Sequence, residues 1–548
     1  AEEFGRFLRT VPLAPPRIPV LANLDAQPHD AAGMAHRLTR QIDNPVRWLD
    51  MVRYLMDRGE FEFVELGPGR VLRNLVAKIK ERAAAERASA PAPAAVRAVG
   101  GSAPVAPVPA SAPGAVPARP AGAGRRAPQP TDLGAASFRE RYRLSYACVA
   151  GSMYAGGSGV DLLARLARAG GMGCYGAGGL TVAEVEEGLG KVVAELGPDQ
   201  PFGASLPYRP DDPGRELALA DLYLRLGVRV VEASGHLEVT PALLKFRLRG
   251  GLVLAKVNRV DQAEQMLSPA PPEVVRQLRE QGQISAEEAD RAAGCPVATD
   301  VAVEAGAGWL SGPATLATLL PSVLRLRDRL VTGPERVHVG AAGGIGTPEA
   351  AAAALLMGAE FLVTGSINQC TVEAVTSPLA KDILQGVSVH DVDTAPWPEL
   401  FELGARNTVV RKGLFYPARA TKLHELWRAH DRYPDIDPAI RDQIERRYLR
   451  RPFAEVLAEV GASGNPKQDM AAVFRTYLTQ GLALARAGEP TRRVDYHIPC
   501  GPAMGAFNDW VRGTDLEPWP RRHVDAVTER LLAATAQLLA ERARTFVH

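Results

Sequence analysis

The chain has 548 residues, enough for more than one domain. It is 46% hydrophobic and 23% charged, as in ordinary soluble globular protein, and its formal net charge of +2 removes any electrostatic case for nucleic acid or an anionic membrane as partner. No apolar run reaches the roughly 18 residues of a membrane span, the opening AEEFGRFL carries no signal-peptide pattern, and five singly scattered cysteines lack metal-ligand spacing and suit a reducing cytoplasm.

In chain order, residues 1–87 read as a small α/β piece. Ile18–Asn23 is a predicted strand, and Met34–Ile42 and Pro45–Arg58 are predicted helices, the second with Val46, Leu49, Val52 and Leu55 on one face. Phe61–Leu66 is a second predicted strand, closed by Gly67-Pro68-Gly69, and Val71–Lys80 a last helix. Residues 88–131 are rich in Ala, Pro and Gly and hold too little apolar surface to fold, so they read as a tether.

From Asp132 the pattern becomes repeated strand-then-helix units. Predicted strands are Ala147–Ala150, Met172–Tyr175, Phe202–Leu206, Val228–Ala233, Leu252–Val257, Val301–Ala305, Val337–Gly340 and Phe361–Thr364. Helices such as Val160–Ala169, Val182–Glu195 and Pro213–Arg225 lie between them. Eight apolar strands at this spacing predict an α/β fold, a closed (β/α)8 TIM barrel over residues 132–420. A doubly wound sheet is the alternative, but no GxGxxG follows the first strand. Residues 421–548 read as an appended helical lobe, with helices over Thr421–Arg450, Phe453–Val460 and Asp469–Ala487; the amphipathic Val524–Ala543 is assigned to packing against barrel or lobe.

The most informative stretch is Val337–Asn368, VHVGAAGGIGTPEAAAAALLMGAEFLVTGSIN. Gly343-Gly344 turns tightly after one strand, and Thr347 can cap a helix with Pro348 and Glu349 in its first turn. Gly365-Ser366 follows the next strand. Two such turns at the ends of neighbouring parallel strands gather backbone N–H groups at one point, which holds a phosphate. In a (β/α)8 barrel, strands seven and eight are where a cofactor phosphate sits.

The segments PVLANLDAQP, DNPVRWLDMVRYL and FVELGPGRVLRNLV resemble, in order and spacing, the last third of a malonyl/acyl-CoA:acyl-carrier-protein transacylase. Such enzymes act through a serine on a GHSxG elbow. The chain has no GxSxG, so the resemblance implies a transacylase remnant over residues 1–87 that is inactive by itself.

A second resemblance covers Asp132 to the end. SYACVAGSMYAGGSG, GAGGL, the Val337–Asn368 stretch, LFYPARATKL and CGPAMGAFNDWV look like the trans-acting enoyl reductases of polyketide and polyunsaturated-fatty-acid synthases, relatives of the nitronate monooxygenases. The resemblance implies an FMN-binding barrel using NADPH. It places Ala150, Gly151, Ser152 and Met153 along the flavin edge and Gly178 and Gly179 near the ring. Gly343, Gly344, Gly365 and Ser366 would hold the FMN phosphate, and Lys256 would stabilise negative charge on the reduced ring or else be a solvated rim lysine. Members of the family carry a DSGGH-type segment after strand six. Here that stretch reads Glu304-Ala305-Gly306-Ala307-Gly308-Trp309-Leu310-Ser311, with Leu310 where the histidine would stand. Leucine donates no proton, and His236, after strand four, is the replacement candidate.

Three functions follow for weighing. The first is an enoyl reductase acting on a thioester carried by an acyl carrier protein, with polyketide synthase modules as partners. The second is a different flavin reaction, such as a nitronate-type oxidation, left open by the missing histidine. The third is a non-catalytic role in docking carrier protein. A homodimer is the assembly considered, and no metal site is expected.

Overall fold

The computed structural model describes most of residues 2–80 and, apart from residues 198, 199, 309, 311, 313 and 334, all of residues 128–545. The chain divides into two compact units, residues 1–120 and 121–548.

In the first unit, helices cover Glu2–Leu8, Met34–Arg40 and Trp48–Met56. Ile18–Asn23 is not an extended strand. It is one arm of a short hairpin in which Leu21 bridges Pro28, with Ala22 N donating to Gln27 O and His29 N to Val20 O, both at 2.8 Å. Asp25 makes the turn: its carboxylate accepts the N–H of Gln27, and Ala26 takes the left-handed conformation. The expected apolar face of the third helix is also corrected, since Val46 and Leu49 are exposed while Met51 and Val52 are buried. The predicted strand at Phe61–Leu66, its Gly67-Pro68-Gly69 turn and much of Val71–Lys80 lie outside the described residues.

The second unit is built on eight parallel strands: β1 Cys148–Ala150, β2 Met172–Tyr175, β3 Gly203–Pro207, β4 Val230–Ser234, β5 Leu252–Val257, β6 Asp300–Glu304, β7 His338–Ala342 and β8 Leu362–Thr364. They pair in sequence order and close through β1 and β8. This is a (β/α)8 barrel. Its strands are short and almost wholly buried, because side chains inside and helices outside cover both faces of a parallel sheet. The intervening helices begin where their caps say they should: Thr181, Thr240 and Thr347 each accept a backbone N–H from the first helical turn.

The N-terminal mouth of the barrel is plugged. The helix Ala136–Tyr142 lies across it, with Phe138 stacked on Phe361 at 4.1 Å between ring centroids. Buried Asp300, the first residue of β6, accepts hydrogen bonds from Arg141 (2.7 Å), the Tyr142 hydroxyl (2.8 Å) and the His338 N–H (2.7 Å). A site must therefore open at the other mouth, where the C-terminal ends of the strands lie.

After β8 the chain leaves the barrel through a 3-10 turn, Ser366–Cys370. It then forms an antiparallel hairpin, β9 Val392–Pro396 with β10 Arg406–Val410, that the sequence reading missed. The helix expected over Thr421–Arg450 is four pieces: Tyr416–Ala429, a 3-10 turn at Tyr433–Asp435, Pro438–Gln443 and a π-helical turn, Ile444–Leu449. Pro434 and Pro438 break it, since each lacks an N–H and clashes with the preceding turn. Phe453–Val460 and Pro466–Ala487 complete the lobe around Tyr416, Leu423, Phe474 and Tyr477. The final helix, Val524–Thr545, returns to the barrel and packs on Pro348–Leu356 and Val160–Arg168. It takes the place of the barrel's eighth helix, so the lobe is an insertion between β8 and that helix, and a cut at residue 420 does not separate barrel from lobe. Among the described residues no helix is long and apolar enough to cross a membrane, and no cluster of His, Cys, Asp and Glu could hold a metal ion.

Candidate active site

At the C-terminal mouth of the barrel is a cavity of about 1080 Å³, including its open entrance. Its walls come from the ends of β1, β5, β6, β7 and β8, from the lobe helix Pro466–Ala487 and from the segment His497–Ala503.

One end is a cradle of backbone. Gly343 and Gly344 adopt φ of 76° and 71°, open to glycine and costly for other residues. A Cβ on Gly343 would strike the Ala305 carbonyl, so the turn is pinned against the end of β6. Gly365 has nothing within 4 Å of where a Cβ would stand; the space beside it is part of the cavity. The N–H groups of Gly343, Gly344, Gly365 and Ser366 have no acceptor among the described residues. Four unpaired donors at one end of a cavity are a ready acceptor site for a phosphate. The Ser366 hydroxyl oxygen accepts the Gly501 N–H at 2.9 Å.

The floor carries charge. Lys256 on β5 lies between Glu232 on β4 and Glu304 on β6, at 3.4 and 3.0 Å, with the side chains of all three at most 9% exposed. Burial opposes the charged lysine, but the two carboxylates outweigh it and raise its pKa. Glu232 is also held ionised: burial works against its charge, while Lys256, the hydroxyl and N–H of Ser152 and the Ser234 hydroxyl lower its pKa.

Met153, Tyr154, Ile345, Leu482 and Ile498 make the apolar walls. The Tyr154 hydroxyl donates to Glu399 at 3.1 Å, and its ring meets Trp397 edge-on at 4.9 Å. His497 closes one side, its imidazole stacked on Tyr416 at 4.3 Å and its Nε2 3.2 Å from the Asn407 amide nitrogen. Burial drives its pKa down to about 3, so it is neutral at working pH. Arg486 stands at the mouth.

Of the residues singled out from sequence, Met153, Lys256, Gly343, Gly344, Gly365 and Ser366 line this cavity. The others do not. Ala150 is buried in the barrel core, and Gly151 faces Val363. Ser152 donates its hydroxyl to Glu232 at 2.5 Å, which makes it a support for the floor. Gly178 and Gly179 give room to the Tyr154 ring: a Cβ on Gly178 would stand 2.8 Å from it. His236 is 2% exposed, with Nε2 3.0 Å from Glu216 on the helix Pro213–Arg225, and it lies outside the cavity wall. The solvated-rim reading of Lys256 does not hold, since its side chain is 9% exposed and paired with Glu232 and Glu304. Leu310 packs with Trp397, Leu400 and Leu482 behind the wall.

Sequence reasoning missed Glu232, Glu304, Tyr154 and His497. Glu304 was legible in principle, as a carboxylate at the C-terminal end of a barrel strand, where functional groups gather. His497 was not, because only the folded lobe brings it to the barrel.

Comparison with known proteins fits this geometry. The polyketide biosynthesis protein PksE of Bacillus subtilis is 38% identical over 98% of this chain and 71% of its own length. The polyketide biosynthesis protein ThaF of Burkholderia thailandensis is 38% identical over 98% of this chain and 54% of its own length. The crystal structure of the enoyl reductase domain of MlnA, from the macrolactin biosynthesis cluster of Bacillus amyloliquefaciens, superposes with a TM-score of 0.73 at 38% identity, covering 76% of this chain and 99% of that one. The chain belongs to the family of trans-acting enoyl reductases of polyketide synthases, with a transacylase remnant ahead of the reductase. Residues 430–496 match the family described as "[Acyl-carrier-protein] S-malonyltransferase, inserted helical domain". In this family member, that match falls in the lobe between β10 and His497, which supplies one wall of the cavity.

Proposed function

We propose that this chain reduces the α,β double bond of an enoyl thioester borne by an acyl carrier protein, with FMN in the cavity and NADPH as reductant. The observation that carries the reading is the cradle of four unpaired N–H donors at β7 and β8 opening into the same cavity as a buried lysine. The donor set suits a phosphate monoester, and the space is large enough for the ring attached to it. When bound, FMN supplies hydride transfer to the β-carbon of the substrate.

The residues of the chain do the rest. Gly343, Gly344, Gly365 and Ser366 fix the phosphate. Lys256 presents positive charge to a ring that becomes more negative on reduction. Met153, Tyr154, Leu482 and Ile498 exclude water from the apolar part of the cavity. Residues 1–87 are read as the transacylase remnant, 88–131 as the linker, and 132–548 as the reductase with its lobe. Carrier protein and polyketide synthase modules are the partners this reading requires.

Two measurements test it. Heat denaturation of the purified chain should release FMN and no FAD. In stopped flow, NADPH should bleach the bound flavin and crotonyl-pantetheine should restore its colour. Release of FAD, or a reduced flavin that no enoyl thioester reoxidises, would sink the proposal.

A further inference from the structure

Glu232 and Glu304 flank the same lysine in opposite environments. Glu232 accepts the Ser152 N–H at 3.0 Å, the Ser152 hydroxyl at 2.5 Å and the Ser234 hydroxyl at 3.1 Å, besides Lys256. Glu304 has Lys256 alone among the described residues, and its side chain lines the cavity. Two carboxylates and one ammonium sum to one excess negative charge in a buried floor. Any further negative charge in the cavity strains that balance, and Glu304 is the carboxylate with fewer hydrogen-bond donors around it.

The other titratable groups around Glu304 cannot serve. Lys256, from β5, is held protonated by both carboxylates. Glu232, from β4, is held ionised, and the Cys174 thiol of β2 beside it is raised by burial. The segment packed over the loop after β6 brings His497, neutral and tied to Asn407, and Cys500, a thiol that burial pushes up to about 12. Tyr154 already donates its hydroxyl proton to Glu399.

We propose that Glu304 is the proton donor of this site, protonated when the cofactor is reduced and giving its proton to the α-carbon of the substrate. This rests on the flavin reading above. With a reduced flavin bound, hydride arriving at the β-carbon would form one C–H bond, and the π electrons would move onto the thioester as an enolate. The O–H bond of Glu304 then breaks as the Cα–H bond forms, and the carboxylate left behind pairs with Lys256. Solvent returns the proton at the next reduction. NADPH, one proton and the enoyl thioester become NADP⁺ and the saturated thioester.

The test compares the parent chain with Glu304→Gln and Glu304→Asp in two ways. The midpoint potential of the bound flavin, followed against pH without substrate, should fall in the parent with the slope of two protons per two electrons. In Glu304→Gln it should fall with the slope of one, and Glu304→Asp should restore the parent slope. In rapid mixing, Glu304→Gln should slow reoxidation by crotonyl-pantetheine by about 10²–10⁴-fold, the usual worth of a positioned acid. Equal slopes in parent and Glu304→Gln, or equal reoxidation rates, would overturn the inference while leaving the flavin reading intact. A chain that binds no flavin would overturn both. Should the variants fail to fold, a one-proton slope in the parent alone overturns it.

Discussion

Replacing Lys256 by Met leaves two buried carboxylates facing each other without their shared cation. The ion pairs lost are 3.4 and 3.0 Å long, between side chains at most 9% exposed. At an effective dielectric of about 20 each is worth roughly 5 kcal/mol of Coulomb attraction, and desolvation cancels much of it. Removing one partner of such a buried arrangement typically costs about 3–5 kcal/mol. The pH dependence fixes the cause. In the parent, the folded pKa of Glu232 is depressed, so its stabilisation is present above the unfolded value of about 4.3 and is lost as pH falls through the folded value. In Lys256→Met the cation that lowers the Glu232 pKa is gone while the burial that raises it stays, so Glu232 is harder to ionise in the folded state and stability falls as pH rises from about 5 to 8. Urea melts of both chains at pH 5 and pH 8 measure this. The deficit should be about 3–5 kcal/mol at pH 8 and smaller at pH 5. A deficit that does not change with pH, or no deficit at all, refutes the claim that Lys256 neutralises this floor.

Gly365→Val fills the empty space beside the cradle, so FMN affinity should fall at least about tenfold in a fluorescence titration. Leu310→His should change flavin reoxidation by less than about tenfold, well under the worth of a positioned acid, because the residue packs behind the wall; stopped flow reads this directly. His497 has a folded pKa near 3, far below its unfolded value, so the unfolded state gains protons first and stability is lost as pH falls below about 6.5. Relative to His497→Gln, the parent should therefore lose about 2 kcal/mol between pH 8 and pH 5 in denaturant melts. Radioactive malonyl-CoA should leave residues 1–87 unlabelled, since no GxSxG nucleophile is present.

The barrel was legible because its signals are local. Met172–Tyr175 and Leu252–Val257 are apolar runs bounded by turn residues, and they are strands with those bounds. Helices with threonine caps start at Val182, Pro241 and Pro348 because the cap chemistry is written in adjacent residues. The two glycine turns that open on the cavity, one strand apart, were equally local. The first unit was harder. Asp25 turns the chain in the middle of what reads as a strand, and one side-chain hydrogen bond outweighs a weak β pattern. The charged floor was hidden for another reason. Glu232, Lys256 and Glu304 sit on three strands with a helix or more between each pair, and only the register of β4, β5 and β6 brings them together.

The lobe explains why a leucine is tolerated at position 310. Leu310 packs with Trp397 and Leu400, which follow β9, and with Leu482 on the helix Pro466–Ala487. An imidazole there would enter an apolar cluster and lose its hydrogen bonds to water, a cost of about 1–3 kcal/mol unless a partner were supplied. The same insertion brings His497 to the cavity but buries it as a neutral ring against Tyr416. Glu304, at the end of β6, lies apart from that packing: it lines the cavity and pairs with Lys256 at 3.0 Å. The charged floor is thus an arrangement of three adjacent strands, Glu232, Lys256 and Glu304, that is independent of the residue at position 310.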